Sequence, residues 1–177
     1  FIFEHNGSTY IFVEDFFYLD KKGRISIVKI KEDSYDFVGV VLEEDFHLSF
    51  PYVFDSGGEI FMVPETHKNK DVRLYKCVEF PTKWALEKVL MKGVSAADTM
   101  LINKNDKWFM LTNISSGDND DHQSELHIFH ADSLVTSDWH PLKQGNPVIF
   151  DSLAARNGGL FEEGGALYRV NQIHSKE

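Results

Sequence analysis

The stretch HLSFPYVFDSGGEIFMVPET, residues 47–66, has an apolar run on each side of the pair Gly57-Gly58. Adjacent glycines accept the positive φ angles that a two-residue β-hairpin turn requires. The stretch therefore predicts a hairpin, and its second strand ends at a carboxylate, Glu65. The rest of the chain decides whether that carboxylate faces solvent or belongs to a polar site shared by several strands.

The same pattern of apolar run, tight turn and apolar run occurs four times. The four segments are FIFEHNGSTYIFVE, YVFDSGGEIFMVPE, MLINKNDKWFMLTN and GLFEEGGALYRVNQ. Their turns lie at intervals of 51, 48 and 59 residues, at Asn6-Gly7, Gly57-Gly58, Asn105-Asp106 and Gly164-Gly165. Further strand-like runs follow each hairpin, and four antiparallel strands in about fifty residues are typical of a propeller blade. The repeat predicts an all-β protein, a β-propeller made of four-stranded antiparallel blades.

The predicted units are residues 1–46, 47–95, 96–153 and 154–177, within a single propeller domain. The segment 84–91 has a composition that also fits a helix, but its place in the repeat favours a strand. Only three units and half of a fourth are present, and a propeller protects its strand edges by closing. We therefore expect a partial propeller that needs further residues, in the form of more chain or further domains.

A column of polar residues lies seven positions after the second residue of each turn. Positions three, five and seven share one face of a strand. Position three is always aromatic and position five always apolar, whereas position seven is a carboxylate or an amide: Glu14, Glu65, Asn113 and Gln172. The shared register predicts that these four side chains lie near one end of the central channel.

Residues just before the first strand of each hairpin should reach the same end of the channel. Together with the column they give one candidate site: Glu14, Asp15, His47, Glu65, Asp98, Asn113, Arg156 and Gln172. Two carboxylates facing a channel are what glycoside hydrolysis requires, and Asp98 and Glu65 are the candidates for catalysis. The alternative is that Asp98 and Glu65 cap strand ends and pair with Arg156 or with backbone amides.

Composition limits the possible partners. The 177 residues carry a net charge of −10, which disfavours nucleic acid and suits a neutral ligand such as a sugar. No apolar run approaches the 18 residues of a membrane span, and the single cysteine, Cys77, agrees with a reducing compartment such as the cytoplasm. His127 and His130 point to opposite faces if they lie on a strand, so neither a metal site nor a cofactor is expected.

Several pieces of the sequence resemble a family of sugar-active propellers. These are HLSFPYVF and GEIFMVPET, then RLYKCVEFPTKWALEKVL, and then AADTMLI with KWFMLT. They are similar to the N-terminal domain of glucosamine inositolphosphorylceramide transferases and its bacterial relatives. These proteins resemble in turn the five-bladed propellers of glycoside hydrolase families 43, 62, 32 and 68. The likeness extends from about Phe3 to Gln172 and is best over residues 47–112.

The resemblance implies roles for the acidic residues. In the hydrolases an Asp at the start of an innermost strand acts as base or nucleophile, a second Asp tunes the acid, and a Glu donates the proton. Asp98 matches the column of the strand-start Asp, whereas Phe50 and Asn157 stand at the other strand starts. We expect Asp98 to be ionised beside Arg156 and Glu65 to be kept protonated by desolvation. Two hypotheses remain open: a domain that is glycosidase-like or accessory to a sugar transferase, and a non-catalytic propeller that binds glycan or protein.

Overall fold

The computed structural model describes residues 1–115, 117 and 121–173, and fifteen strands account for almost all of its regular structure. The first two sheets contain β1 (Ile2–His5), β2 (Ser8–Phe17), β3 (Lys22–Ile30), β4 (Tyr35–Leu42), β5 (Ser49–Ser56), β6 (Glu59–Glu65), β7 (Asp71–Glu79) and β8 (Lys83–Lys92). The others contain β9 (Ala96–Lys104), β10 (Lys107–Ile114), β11 (Glu125–Ala131), β12 (His140–Pro141), β13 (Ile149–Phe150), β14 (Asn157–Glu163) and β15 (Ala166–Asn171). A short 3₁₀ turn, His67–Asn69, lies between β6 and β7.

Each sheet is an antiparallel meander, and the sheets follow one another along the chain. The strand orders are β1-β2-β3-β4, then β5-β6-β7-β8, then β9-β10-β11 with β12 and β13 both on β11, and last β14-β15. The all-β prediction is thereby confirmed, and residues 84–91 lie in a strand as the repeat indicated. Among the described residues, the third sheet has no long fourth strand, because residues 142–148 form a turn segment between the two short strands β12 and β13.

The core lies between neighbouring sheets, because their strands bury both faces. Strand β7 shows this most simply: Leu74 packs into the cluster shared with the third sheet, and Tyr75 packs into the cluster shared with the first. Side chains on alternate positions of a strand point to opposite faces, so one strand can serve both clusters. No helix in the described part of the chain is long and apolar enough to cross a membrane.

All four predicted turns are present. The residues Asn6, Asn105 and Asp106 have φ angles of 49°, 52° and 59°, and the turn glycines are also positive. Positive φ at both central residues matches the right-handed twist of the flanking strands. Two-residue turns therefore set the same register in all four hairpins, from Phe3↔Tyr10 in the first to Phe161↔Tyr168 in the last.

The first strand of three sheets carries an irregularity near its start. The pairing register shifts between Ser49 and Tyr52 in β5, opposite Leu111–Asn113 in β9, and between Asn157 and Gly159 in β14. Two non-glycine residues at these places have positive φ, Phe50 at 41° and Asp98 at 49°. Such bulges redirect a side chain and are frequent next to functional sites.

Candidate functional site

Asp98 lies at the centre of the site. It sits in the bulge at the start of β9, and it is 2% exposed. Its Oδ2 accepts a hydrogen bond from Arg156 Nε at 2.7 Å and a longer one from Gln172 Nε2 at 3.4 Å. These partners follow Asp98 by 58 and 74 residues, so the fold alone brings them together. The predicted pairing of Asp98 with Arg156 is confirmed.

Glu65 lies beside Asp98 at the end of β6 and is 7% exposed. Its Oε2 accepts the backbone N–H of Asp98 at 3.3 Å, and its Oε1 lies 2.6 Å from Nδ1 of His67. His67 stands in the 3₁₀ turn that follows the strand, and this turn folds the imidazole back over the carboxylate. We refer to Glu65, His67, Asp98, Arg156 and Gln172 as the Asp98 cluster.

Two asparagines, Asn113 and Asn157, bind the backbone around Asp98. Asn157 donates from Nδ2 to the carbonyl oxygen of Asp98 at 2.9 Å, and its backbone N–H donates to Asn113 Oδ1 at 2.9 Å. Asn113 Nδ2 donates to the carbonyl oxygens of Glu125 and Ala155, each at 2.9 Å. Both asparagines are fully buried. Because Asn113 binds both Glu125 and Ala155, it connects the third sheet to the segment that leads into β14.

The order of the pKa values expected for the two acids is reversed. Burial raises the pKa of Asp98 to about 6, the negative charge of Glu65 adds to this rise, and Arg156 opposes it only in part. Burial also acts to raise the pKa of Glu65, but the hydrogen bond and charge of His67, with bonds from Asp98 N–H and Ser49, lower it overall. Of the pair, Asp98 therefore takes up a proton more readily as the pH falls, and Glu65 stays ionised to lower pH.

The predicted site residues Glu14, Asp15 and His47 lie outside the Asp98 cluster. Glu14 and His47 form a separate pair, with His47 Nε2 3.2 Å from Glu14 Oε1. Asp15 lies apart from both groups: it follows Glu14 in β2, so its side chain lies on the opposite face, where it accepts hydrogen bonds from Arg24 and Ser26. The structure thus brings Glu65, Asp98, Asn113, Arg156 and Gln172 together, whereas Glu14 and His47 contact each other and the side chain of Asp15 contacts neither group.

Sequence reasoning missed two important members of the site. His67 carried a signal, since it follows Glu65 by only two residues, and residues two apart on a strand share one face. Asn157 was noted only as a departure from the acidic strand-start pattern, yet it binds the Asp98 backbone. Both roles depend on a turn or bulge that the apolar pattern does not encode.

The arrangement has definite chemical capacities. Arg156 and His67 have side chains 24% and 15% exposed, more than the acids they bind, so an incoming ligand meets these donors first. Besides burial, the negative charge of Glu65 contributes to the raised pKa of Asp98, so the two buried carboxyl groups lie close enough to interact. Glycoside hydrolysis uses two carboxyl groups roughly 5–10 Å apart, on either side of the scissile bond. Within the described residues, no three or more His, Cys, Asp or Glu side chains form a group that could hold a metal ion.

Solved structures with a similar fold are propeller enzymes that act on sugars. An exo-1,5-α-L-arabinanase from a bovine ruminal metagenomic library matches with a TM-score of 0.66 and 12% identity, over 95% of this chain and 65% of that one. A family-43 β-xylosidase/α-arabinofuranosidase from a compost metagenome gives 0.65 and 13%, over 95% and 62%. A thermostable family-43 glycoside hydrolase gives 0.60 and 12%, over 99% and 75%. The protein thus has the fold of a five-bladed propeller, of which the described residues form four sheets.

The sequence comparison defines the family more narrowly. Residues 1–177 match the family described as glucosamine inositolphosphorylceramide transferase 1, N-terminal, and the chain belongs to it. It is 33% identical over 177 residues to the glucosamine inositolphosphorylceramide transferases 1 of Oryza sativa subsp. japonica and Arabidopsis thaliana. The match covers 97% of this chain but 23% of either relative, so the chain spans less than a quarter of their length.

Proposed function

We propose that this domain binds a sugar-containing ligand over the Asp98 cluster and serves as an accessory domain of a sugar transferase. The observation that carries the proposal is the pairing of two buried acids with two partly exposed donors, Arg156 and His67. The acids fix the positions of the donors, and fixed charged donors make hydrogen bonds roughly twice as strong as neutral ones. Sugar hydroxyl and phosphate oxygens are suitable acceptors for both.

The names of the relatives suggest which ligands to test. These proteins are called glucosamine inositolphosphorylceramide transferases, so glucosamine and inositol phosphate are the first probes. The acidic surface, with a net charge of −10, favours the protonated amine of glucosamine, whereas Arg156 favours a phosphate. Calorimetric titration with each compound and with N-acetylglucosamine separates the two preferences.

The decisive variant is Arg156→Lys, which keeps the charge but loses the planar donor group. Its matched control is Arg24→Lys, because Arg24 Nε binds Asp15 Oδ2 at 3.1 Å in the same way, away from the cluster. We expect Arg156→Lys to weaken binding roughly tenfold or more, as for loss of a hydrogen bond to a charged group, and Arg24→Lys to leave it unchanged. Equal affinities of the two variants, or no binding by the wild type, would refute the proposal.

Hydrolysis is a second candidate function, favoured by one observation. The pKa of Asp98 is raised to about 6, which leaves a fraction of this carboxyl protonated near neutral pH and able to act as a general acid. The contacts that Asp98 and Glu65 make with Arg156 and His67 support binding instead. Release of nitrophenol from nitrophenyl glycosides of arabinose, xylose, galactose and glucosamine tests the point, since a rate that Asp98→Asn abolishes would favour hydrolysis.

A further inference from the structure

The pair Glu14 and His47 is held in a defined geometry beside the first sheet. The backbone N–H of Gly23 donates to His47 Nδ1 at 2.9 Å, so this nitrogen carries no proton. The ring proton is therefore on Nε2, which points to Glu14 Oε1 at 3.2 Å. Glu14 is 39% exposed in its side chain, which leaves carboxylate surface free to accept hydrogen bonds from a ligand.

Gly23 is the residue that makes this geometry possible. A Cβ atom at position 23 would lie 2.4 Å from the carbonyl oxygen of Leu48, 2.7 Å from His47 Cε1 and 3.0 Å from Glu14 Oε1. Glycine is therefore required here for close approach of the chains, and the Gly23 carbonyl also accepts the N–H of Leu48 at 2.9 Å. The first sheet and the start of β5 are thus joined directly at the pair.

An aromatic wall stands next to the pair. Phe16 shares the face of β2 that carries Glu14, and its ring centroid is 5.9 Å from that of His47. Tyr18 packs edge-on against Phe16 at 5.2 Å, just beyond the end of the strand. The two residues are 39% and 83% exposed, so apolar ring faces border a carboxylate that can accept hydrogen bonds.

We propose that Glu14, His47, Phe16 and Tyr18 form a second sugar-binding subsite, which takes a ring next to the one held over the Asp98 cluster. Carboxylates bind sugar hydroxyls, and aromatic rings pack on the apolar face of a sugar, so the composition fits a pyranose or furanose ring. The inference rests on the proposed function for its account of the first ring. It identifies the ligand class as an oligosaccharide or glycoconjugate of at least two rings.

The backbone places the two subsites close together. Ser49 pairs with Glu65 in the register of β5 and β6, and His47 precedes Ser49 by only two residues. Two residues span at most about 7 Å of backbone. The subsite is therefore adjacent to the Asp98 cluster along the start of β5, at a separation that suits neighbouring rings of one ligand.

A membrane surface is the other occupant that an exposed aromatic turn could take. Tyr18 and Leu19 are 83% and 85% exposed, and Lys21 and Lys22 follow them. Lys22, however, is already paired with Glu43 at 3.2 Å, and its ammonium donates to the carbonyl oxygen of Glu44. This surface lacks the excess positive charge that attracts anionic lipid, so the charges favour the sugar.

The test compares the affinity for a monosaccharide with that for its trisaccharide, using glucosamine, galactose and xylose. Calorimetric titration is carried out on the wild type and on the variants Tyr18→Ala and Tyr35→Ala. Tyr35 is a matched control, because it is a 69% exposed tyrosine on the outer strand β4. We expect the trisaccharide to bind more tightly than the monosaccharide, and Tyr18→Ala to reduce this gain roughly three- to tenfold while monosaccharide affinity is unchanged. The Tyr35→Ala variant should behave as the wild type.

Each outcome separates the inference from the proposed function. Equal affinity for both sugar lengths, with dependence on Arg156, would overturn the subsite and leave the proposed function standing. A gain that depends on Tyr18 without any dependence on Arg156 would support the subsite and refute the Asp98 cluster as a binding site. Absence of binding to every sugar would overturn both, and Tyr18-dependent sedimentation with phosphatidylserine vesicles but no trisaccharide gain would assign the turn to a membrane instead.

Discussion

At the scale of single residues, Asp98 combines two costs that proteins rarely accept together. It has a left-handed backbone conformation, with φ at 49°, and it buries a carboxyl group to 2% exposure. Left-handed conformations cost a non-glycine residue of order 1–3 kcal/mol, and a buried acid needs compensating partners. Arg156 and Gln172 donate hydrogen bonds to the carboxylate, and the side chain of Asn157 donates one to the backbone carbonyl oxygen of Asp98. These contacts therefore stabilise a buried carboxyl group and a left-handed backbone conformation that would otherwise be unfavourable.

The raised pKa of Asp98 predicts a dependence of stability on pH. The ordinary pKa of an Asp side chain is 3.8, and that of Asp98 is raised to about 6. Between these two pH values, the folded state therefore holds a proton that the unfolded state releases. The stabilising effect is complete below pH 3.8 and is lost as the pH rises through 6, with a change of up to about 3 kcal/mol. We therefore expect the free energy of unfolding in urea to fall between pH 4.5 and pH 7.5, and to fall more for the wild type than for Asp98→Asn.

The control for this experiment is Asp15→Asn, which changes a more exposed acid that also binds an arginine. It should lose the same free energy of unfolding between the two pH values as the wild type does. A pH dependence of Asp98→Asn identical to that of the wild type would contradict the assignment of the proton to Asp98.

The sequence could indicate which acids meet but not which of them holds a proton. The column at position seven and the strand starts predicted that Glu65, Asp98 and Arg156 converge, because register is a local property of each hairpin. The pKa order depends on His67, whose turn reverses it, and on the hydrogen bonds around Asp98. Such contacts join residues far apart in the chain, and no periodic pattern specifies them.

At the scale of elements, the hairpins are local and the connections between sheets are not. Two-residue turns set the register of each hairpin, and for this reason the repeat predicted the strand faces correctly. The bulges at Phe50 and Asp98 were not predictable, because a single residue in a left-handed conformation leaves no apolar signature. The bulges nevertheless direct the site residues, so the fold was more predictable than the site.

Asn113 is the polar connection between elements that we expect to be least replaceable. Its Nδ2 donates to two carbonyl oxygens, of Glu125 and Ala155, and its Oδ1 accepts the N–H of Asn157. In Asn113→Asp the carboxylate would face two carbonyl oxygens without a proton to donate. We expect a loss of at least about 3 kcal/mol, greater than for the isosteric loss of one hydrogen bond.

Chemical unfolding of Asn113→Asp beside Asn103→Asp checks this expectation. Asn103 lies on β9 of the same sheet near the exposed turn, so its replacement should change the free energy of unfolding by less than about 0.5 kcal/mol. Similar losses in the two variants would show that the Asn113 network contributes little to stability.

At the scale of the whole molecule, burial is unevenly distributed among the sheets. The second and third sheets contain most of the buried apolar residues, including Met62, Met100 and Met110 at 0% exposure. The β14-β15 hairpin instead exposes Phe161, Tyr168 and Val170 by nearly half of their surface. Local opening requires little free energy where few apolar contacts are lost, so the sheets should differ in their dynamics.

Hydrogen exchange should reveal this unevenness as a gradient within the last hairpin. The Asn157 N–H binds the buried Asn113 side chain, whereas the strands toward Gly164-Gly165 pack on little else. We expect amides of residues 160–168 to exchange on the order of a hundredfold faster than those of β9 and β10, and the Asn157 amide to be protected nearly as well as β9. Asn113→Ala should then accelerate exchange at Asn157 while leaving β2 and β3 unchanged. Uniform protection from residue 96 to residue 171, or an Asn157 amide insensitive to Asn113→Ala, would show that the last hairpin opens with the whole molecule and that Asn113 does not hold it.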